Sequence, residues 1–164
     1  MQRLHPAAAI LLAGVAAGTL DISDALIFNA FHGITPAEVF RFIASGLLGL
    51  PAAVRGGAWV VALGVAMHFT IALFWTAVYY LLSRHFPVLL RRAWICGPLY
   101  GAVLYPVMTF LVLPLTRVPH PAGIVTVANR INGVFALVVC IGPAVALLLR
   151  RYAPVPAPAA GAAH

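Results

Sequence analysis

The stretch GVAAGTLDISD, residues 14–24, places two of the chain's three acidic residues, Asp21 and Asp24, inside a long apolar segment. Apolar residues resume directly after Asp24, so that the apolar segment extends over residues 7–31. A helix needs about 20 such residues to cross a bilayer. We therefore expect the first transmembrane helix here. A secretory signal peptide cleaved near Ala17 is the alternative.

The composition places the whole chain in a membrane. Of its 164 residues, 63% are hydrophobic and 8% are charged, whereas a soluble domain is about 25% charged. So few charges could not cover a soluble surface. We expect an all-α polytopic membrane protein with four transmembrane helices and one short amphipathic interfacial helix. It should form one domain over residues 1–152, followed by a flexible Pro/Ala tail over residues 153–164.

Three more apolar segments, residues 58–82, 93–115 and 124–149, are the expected second to fourth spans. Trp59 and the pair Tyr79-Tyr80 mark the ends of the second span, as an aromatic belt would. Three prolines in the third segment should bend or end that helix; they are Pro98, Pro106 and Pro114. Residues 83–92 should form a short basic loop.

Thr35-Pro36-Ala37-Glu38 has the pattern of a capping box with proline at the first helical position. It predicts a helix over residues 36–48 that is amphipathic and too short to span. We expect this helix to lie in the membrane interface, and a re-entrant helix is the alternative. Leu50-Pro51 and Arg55-Gly56-Gly57 should end it with turns.

The positive charges predict the topology. The chain has a net charge of +7, with ten arginines and no lysine. The arginines lie mostly at the ends of apolar segments, so we expect lipid headgroups as their partners and no nucleic acid. Six of them fall on the side of the two termini and four on the other side. The positive-inside rule then places both termini in the cytoplasm.

Polar residues of different spans lie at similar predicted depths. At ~1.5 Å per residue, Asp24 and Asp21 lie roughly 10 and 15 Å below the end of the first span, and His68 lies roughly 15 Å deep. Arg130 and Asn132 lie roughly 9–12 Å deep, after Asn129. We expect Asp21 to face His68 and Asp24 to pair with Arg130.

Small residues recur at helical spacing in the same spans. Gly14 and Gly18 precede Asp21, Gly97 and Gly101 repeat that spacing, and Gly64 lies four residues before His68. Such faces let helices approach closely.

An ionised side chain in the membrane costs at least ~2.5 kcal/mol, so these groups should face inward and pair. We expect the cluster of Asp21, Asp24, His68, Arg130, Asn129 and Asn132 to bind a proton, an ion or a small solute. There are two alternatives. In the first, the ion pairs only hold the helices together and bind no ligand. In the second, the protein is an accessory subunit that docks another membrane protein or a second copy through its small-residue faces. An enzyme acting on lipid, with the aspartates and His68 as acid and base, is less favoured.

Other chemistries find little support in the sequence. The signatures of hydrolases, kinases and dinucleotide-binding domains are absent. A bis-histidine haem would need a second interior histidine. We expect no cofactor and no metal.

The run from His68-Phe69-Thr70-Ile71 through Phe86-Pro87 and Gly97-Pro98-Leu99-Tyr100-Gly101 to Pro114-Leu115 resembles YagU-like bacterial inner-membrane proteins. In that family too, a helix with an interior histidine ends in a Phe-Pro turn, and a glycine-rich helix ends in Pro-Leu. The resemblance covers under half of the chain. It implies a bacterial inner-membrane location and a role in stress or acid tolerance, and it supplies no catalytic residue.

Overall fold

The computed structural model describes residues 3–118 and 126–154, which form helices and no strand. Five α-helices lie between residues 6 and 91: α1 (Pro6–Ala30), α2 (Pro36–Leu48), α3 (Leu50–Arg55), α4 (Ala58–His85) and α5 (Val88–Arg91). The third long helix joins α6 (Ala93–Pro106), a first π segment (Val107–Val112) and a 3-10 turn (Leu113–Leu115). The fourth joins α7 (Val127–Phe135), a second π segment (Ala136–Ile141) and α8 (Gly142–Tyr152).

Four of these helices are long and apolar enough to cross a membrane, which confirms the all-α polytopic fold. They cover Pro6–Ala30, Ala58–His85, Ala93–Leu115 and Val127–Tyr152. Residues 124 and 125 of the expected fourth span, and residues 155–164 of the expected tail, lie outside the described residues.

The capping box forms as its sequence predicts. The Thr35 backbone N–H donates to the Glu38 carboxylate over 2.7 Å, and the Glu38 N–H donates to the Thr35 hydroxyl over 3.4 Å. These bonds satisfy N–H groups that the first turn of a helix leaves free. The helix then runs over Pro36–Leu48, as predicted.

Two segments expected to be turns or loops are partly helical. Gly49 ends α2 with φ +80°, a conformation that favours glycine, and α3 starts directly after it with proline in its first turn. Helix α4 continues to His85, and Val88–Arg91 adds one more turn. The prediction of a basic loop over residues 83–92 is therefore wrong. Backbone N–H groups on both sides of Pro87 donate to carbonyl groups four residues earlier, as Phe86 does to Leu82 and Arg91 does to Pro87.

The prolines of the third span change the type of helix without breaking it. Helix α6 contains Pro98 and ends at Pro106, and the π segment starts directly after it. The whole third long helix ends at Leu115, one residue after Pro114. In both π segments the N–H that follows the segment bonds five residues back: Leu113 to Met108, and Gly142 to Leu137. Pro143 follows the second π segment and has no N–H to give.

Glycines bring the helices together. Helix α1 packs on α4 and α8, α6 packs on α8, and α2 packs on α4. A Cβ on Gly101 would collide with the Leu137 carbonyl oxygen, and one on Gly64 would collide with the Phe40 carbonyl oxygen. A Cβ on Gly14 would lie 2.7 Å from a methyl group of Leu73. The small-residue faces therefore act inside the bundle, where they set the distances between its helices.

Arg3 and α8 define one end of the bundle, which we call the Arg3 end. The Arg3 guanidinium donates to the Arg150 and Ala153 carbonyls, each over 2.8 Å, and the Leu4 N–H donates to the Tyr152 carbonyl over 2.9 Å. A cation at the carboxyl end of a helix is favourable. The opposite end, where α1 stops beside the start of α7, is called the Asn29 end.

Candidate functional site

Asp21 and His68 face each other between α1 and α4. The Asp21 Oδ2 and His68 Nδ1 atoms are 3.9 Å apart, and His68 is buried whereas Asp21 is partly exposed. The other ring nitrogen of His68, Nε2, lies 2.8 Å from the Gly18 carbonyl oxygen. Because a carbonyl oxygen only accepts, Nε2 carries a proton. The predicted pairing of Asp21 with His68 is therefore confirmed as geometry.

Asp24 has a neutral partner. Asn132 Nδ2 donates to Asp24 Oδ2 over 2.9 Å. Within residues 3–118 and 126–154, no ion pair joins Asp24 to Arg130, whose side chain is exposed. The expected pairing with Arg130 is wrong, because Arg130 and Asn132 lie about 200° apart around the helix and only Asn132 faces α1.

Asn129 has a local role at the start of α7. Its N–H donates to the Thr126 hydroxyl over 3.2 Å, and that hydroxyl donates to Asn129 Oδ1. This is the arrangement of a helix N-cap. Asn129 also lines a cavity at the Asn29 end of the bundle.

The first cavity, which we call the amide cavity, has a volume of about 360 Å³. Its polar side chains come from three spans, and they are Asp21, Asp24, Asn29, Tyr105, Thr109, Asn129 and Asn132. Phe28, Met108 and Leu137 supply apolar walls. No arginine or histidine of the described residues lines it, so its two carboxyl groups have no cationic side chain beside them in the wall.

The second cavity, which we call the histidine cavity, has a volume of about 340 Å³ and lies under α2. Asp21 and His68 line it together with apolar side chains that include Val39, Phe42 and Ile43 of α2. Five residues line both cavities: Asp21, Ala25, Asn29, Met108 and Leu137. The Asp21–His68 pair therefore lies beside the wall that the two cavities share.

Both π segments contribute to this wall. Met108 of the first segment and Leu137 of the second line both cavities, and Thr109 of the first segment lines the amide cavity alone. A π-helical insertion widens a helix locally, and such insertions are common at functional sites. The prolines beside these segments, Pro106 and Pro143, are the sequence signal that favours them.

Asn29 is a lining residue that was not predicted. It lies eight residues after Asp21, with Ala25 between them, so the three share one face of α1. That spacing could have identified it. Its Nδ2 donates to the Ala25 carbonyl over 2.8 Å, which leaves Oδ1 to accept. Asn132 uses its Nδ2 on Asp24 in the same way.

Among the described residues, no group of three or more His, Cys, Asp and Glu side chains is placed to hold a metal ion. Comparison of the chain with protein-family models, with curated proteins and with solved structures finds no match.

Proposed function

We propose that this multi-pass membrane protein binds a small cation in the amide cavity. The observation that carries the proposal is that two carboxyl groups, those of Asp21 and Asp24, line the cavity while no arginine or histidine of the described residues does. Among the described residues no hydrogen bond reaches Asp24 Oδ1, and the amides of Asn29 and Asn132 each use one of their two N–H groups internally. A ligand that donates hydrogen bonds and carries positive charge would complement these atoms.

The walls suit an organic cation. Phe28 and Tyr105 are aromatic, and Met108 and Leu137 are apolar. Aromatic faces attract cations, and apolar walls favour a short alkyl chain. The volume of about 360 Å³ has room for on the order of ten water molecules or a ligand of similar size. A primary alkylammonium ion combines the charge, the three donors and the alkyl chain.

The two alternatives explain less of the site. An ion-paired lock accounts for Asp21 and His68, but it leaves Asp24 without a cation, because Asn132 is neutral. Docking of another protein through the small-residue faces would need those faces on the outside, whereas Gly14, Gly64 and Gly101 pack against neighbouring helices of the same chain.

Thermal stability of the purified protein in detergent tests cation binding. n-Butylammonium, sodium and potassium are the probes, and n-butanol is the neutral control. A ligand at 100 times its Kd stabilises the folded state by about 2.7 kcal/mol. We expect butylammonium, but not butanol, to raise the Tm of the wild type.

Asp24→Asn should abolish the Tm increase, because it removes the carboxylate and keeps the shape. Glu38→Gln is the matched control, since it removes the one acid outside the cavity and glutamine also suits a capping box. Equal Tm increases in wild type and Asp24→Asn would contradict the proposal, as would an equal effect of butanol.

We also propose that the protein resides in a bacterial inner membrane with residues 3 and 154 on the cytoplasmic side. The arginine distribution and the proximity of Arg3 to Arg150 support this topology. Accessibility of single cysteines to a membrane-impermeant thiol reagent tests it. A cysteine at Arg3 should react only after the membrane is opened, and one at Phe31 should react in intact cells.

A further inference from the structure

We infer that binding of a cation in the amide cavity releases a proton from the Asp21–His68 pair, so that the site exchanges one cation for one proton. This inference rests on the proposed function and adds its regulation. It starts from the two ring nitrogens of His68, which have different partners.

The Gly18 carbonyl fixes where His68 keeps its first proton. Nε2 lies 2.8 Å from that oxygen and must donate to it, so Nε2–H is present whether the ring is neutral or charged. Only Nδ1 is left to gain or lose a proton. This atom faces Asp21 Oδ2 across 3.9 Å.

In this exchange the pair carries either one proton, on Nδ1 or on the Asp21 carboxyl group, or none. With the proton, imidazolium faces carboxylate, or neutral histidine faces carboxylic acid, and the pair is neutral in both forms. Without it, the lone pair of Nδ1 faces an anionic carboxylate, which is unfavourable, and the charge of Asp21 has no counter-charge. A cation beside Asp21 supplies that counter-charge, so cation and proton compensate the same negative charge.

The surroundings offer no other compensation. On α1 the neighbouring acid is Asp24, one turn away, which adds negative charge. On the other elements, Tyr105 lines the amide cavity, Cys140 is within electrostatic range of both aspartates, and α2 presents only Val39, Phe42 and Ile43. Among the described residues that line either cavity, His68 is therefore the one basic group.

The exchange balances charge and atoms. One monovalent cation enters the amide cavity, and one proton leaves Nδ1 or the Asp21 carboxyl group for water. The net charge of the site is the same before and after. Because Asp21 lies on the wall shared by the two cavities, the pair that loses the proton borders the cavity that receives the cation.

The experiment measures protons and cation binding in one sample. Wild-type protein in detergent and weak buffer receives butylammonium chloride between pH 5 and pH 8, with a pH-indicator dye reporting proton release and calorimetry reporting binding. We expect close to one proton per bound cation over the pH range in which the pair is protonated. Over that range the apparent Kd should rise about tenfold for each unit that the pH falls.

Two variants separate the pair from the rest of the site. Asp21→Asn and His68→Gln each remove one partner, and glutamine can still donate to the Gly18 carbonyl. Each single variant keeps one group that can carry a proton, whereas the double variant Asp21→Asn/His68→Gln keeps neither. The double variant should therefore bind butylammonium without proton release and with an affinity that does not change with pH. Glu38→Gln should behave like the wild type.

The outcomes distinguish the two proposals. Cation binding by the wild type without proton release overturns the exchange and leaves the cation site standing. Proton release that persists in the double variant also overturns it, because another group would be the donor. Failure of every tested cation to bind overturns the cation site and the exchange together.

Discussion

At the Arg3 end of the bundle the polar side chains have partners in the protein, whereas at the Asn29 end several acceptors are left over. Tyr79 is fully buried and donates to the Leu89 carbonyl over 2.9 Å, and the buried Ser83 donates to the Tyr80 carbonyl over 2.6 Å. Asp24, Asn29 and Asn132 instead surround a cavity of about 360 Å³. Buried polar groups are normally satisfied. One end is therefore completed by contacts within the chain, whereas polar side chains at the other end border a cavity, which is where we propose that a ligand binds.

The largest expected effect comes from the helix crossing that holds both ends together. Gly101→Ala should lower the free energy of unfolding by about 3 kcal/mol, because its Cβ would meet the Leu137 carbonyl oxygen. Gly46→Ala is the control, since its Cβ would lie 3.6 Å from Thr116 at an ordinary contact distance. Reversible unfolding in mixed micelles measures both. Equal stability of the two variants would mean that the crossing tolerates a methyl group.

A pair of tyrosines compares the ends directly. Tyr79→Phe should cost about 1 kcal/mol of stability, because it leaves the Leu89 carbonyl without its partner. Tyr105→Phe removes a hydroxyl that faces the amide cavity and should leave stability within about 0.5 kcal/mol of the wild type. Thermal unfolding of the two single variants measures both losses of stability. A larger loss for Tyr105→Phe than for Tyr79→Phe would contradict the contrast between the two ends.

Asp24→Asn should stabilise the protein by up to about 1 kcal/mol in the absence of ligand. The change removes a carboxylate from the membrane interior, where charge is costly, and asparagine can still accept from Asn132. Chemical unfolding in cation-free buffer measures the effect. A clear loss of stability would show that the carboxylate is structural, which would weaken the case for a site.

The smallest effect concerns the start of α2. Two hydrogen bonds from Thr35 hold the pKa of Glu38 below its ordinary value of 4.5. A carboxyl group with a lowered pKa in the folded state stabilises it above the ordinary pKa, and this contribution is lost as the pH falls through the lowered value. Hydrogen exchange of the Val39 amide, corrected for intrinsic rates, should therefore speed up below about pH 4.5.

Glu38→Gln should remove this pH dependence and keep the helix. Asp21→Asn should leave it unchanged, because Asp21 lies on another helix. An unchanged pH response in Glu38→Gln would assign the effect to a different carboxyl group.

Apolar length and capping chemistry predicted the spans from the sequence, because a run of residues too apolar for water and long enough for a bilayer has few alternatives. The third span ends at Leu115 and α2 covers Pro36–Leu48, as expected. Depth matching also brought Asp21 to His68. The ends of the helices and the depth of a residue in the membrane depend on its position along the chain, which can be counted in the sequence.

The sequence alone did not predict how each helix is rotated about its axis. This explains the wrong prediction that Asp24 pairs with Arg130. Arg130 and Asn132 have nearly the same depth, and only the packed bundle shows that Asn132 faces α1. The π segments were missed for a related reason. When the hydrogen bonds span five residues instead of four, different side chains face inward. The amino-acid composition of such a segment is the same whether it forms an α-helix or a π-helix.

The contact of Arg3 with the last turn of α8 also bears on the order in which the protein is made. The carbonyl groups of Arg150 and Ala153 do not exist until the fourth span has been synthesised. Helix α1 can pack on α4 before then, but the Arg3 guanidinium has these two acceptors only after α8 has been made. The residue that precedes the first span is therefore among the last to reach its final contacts.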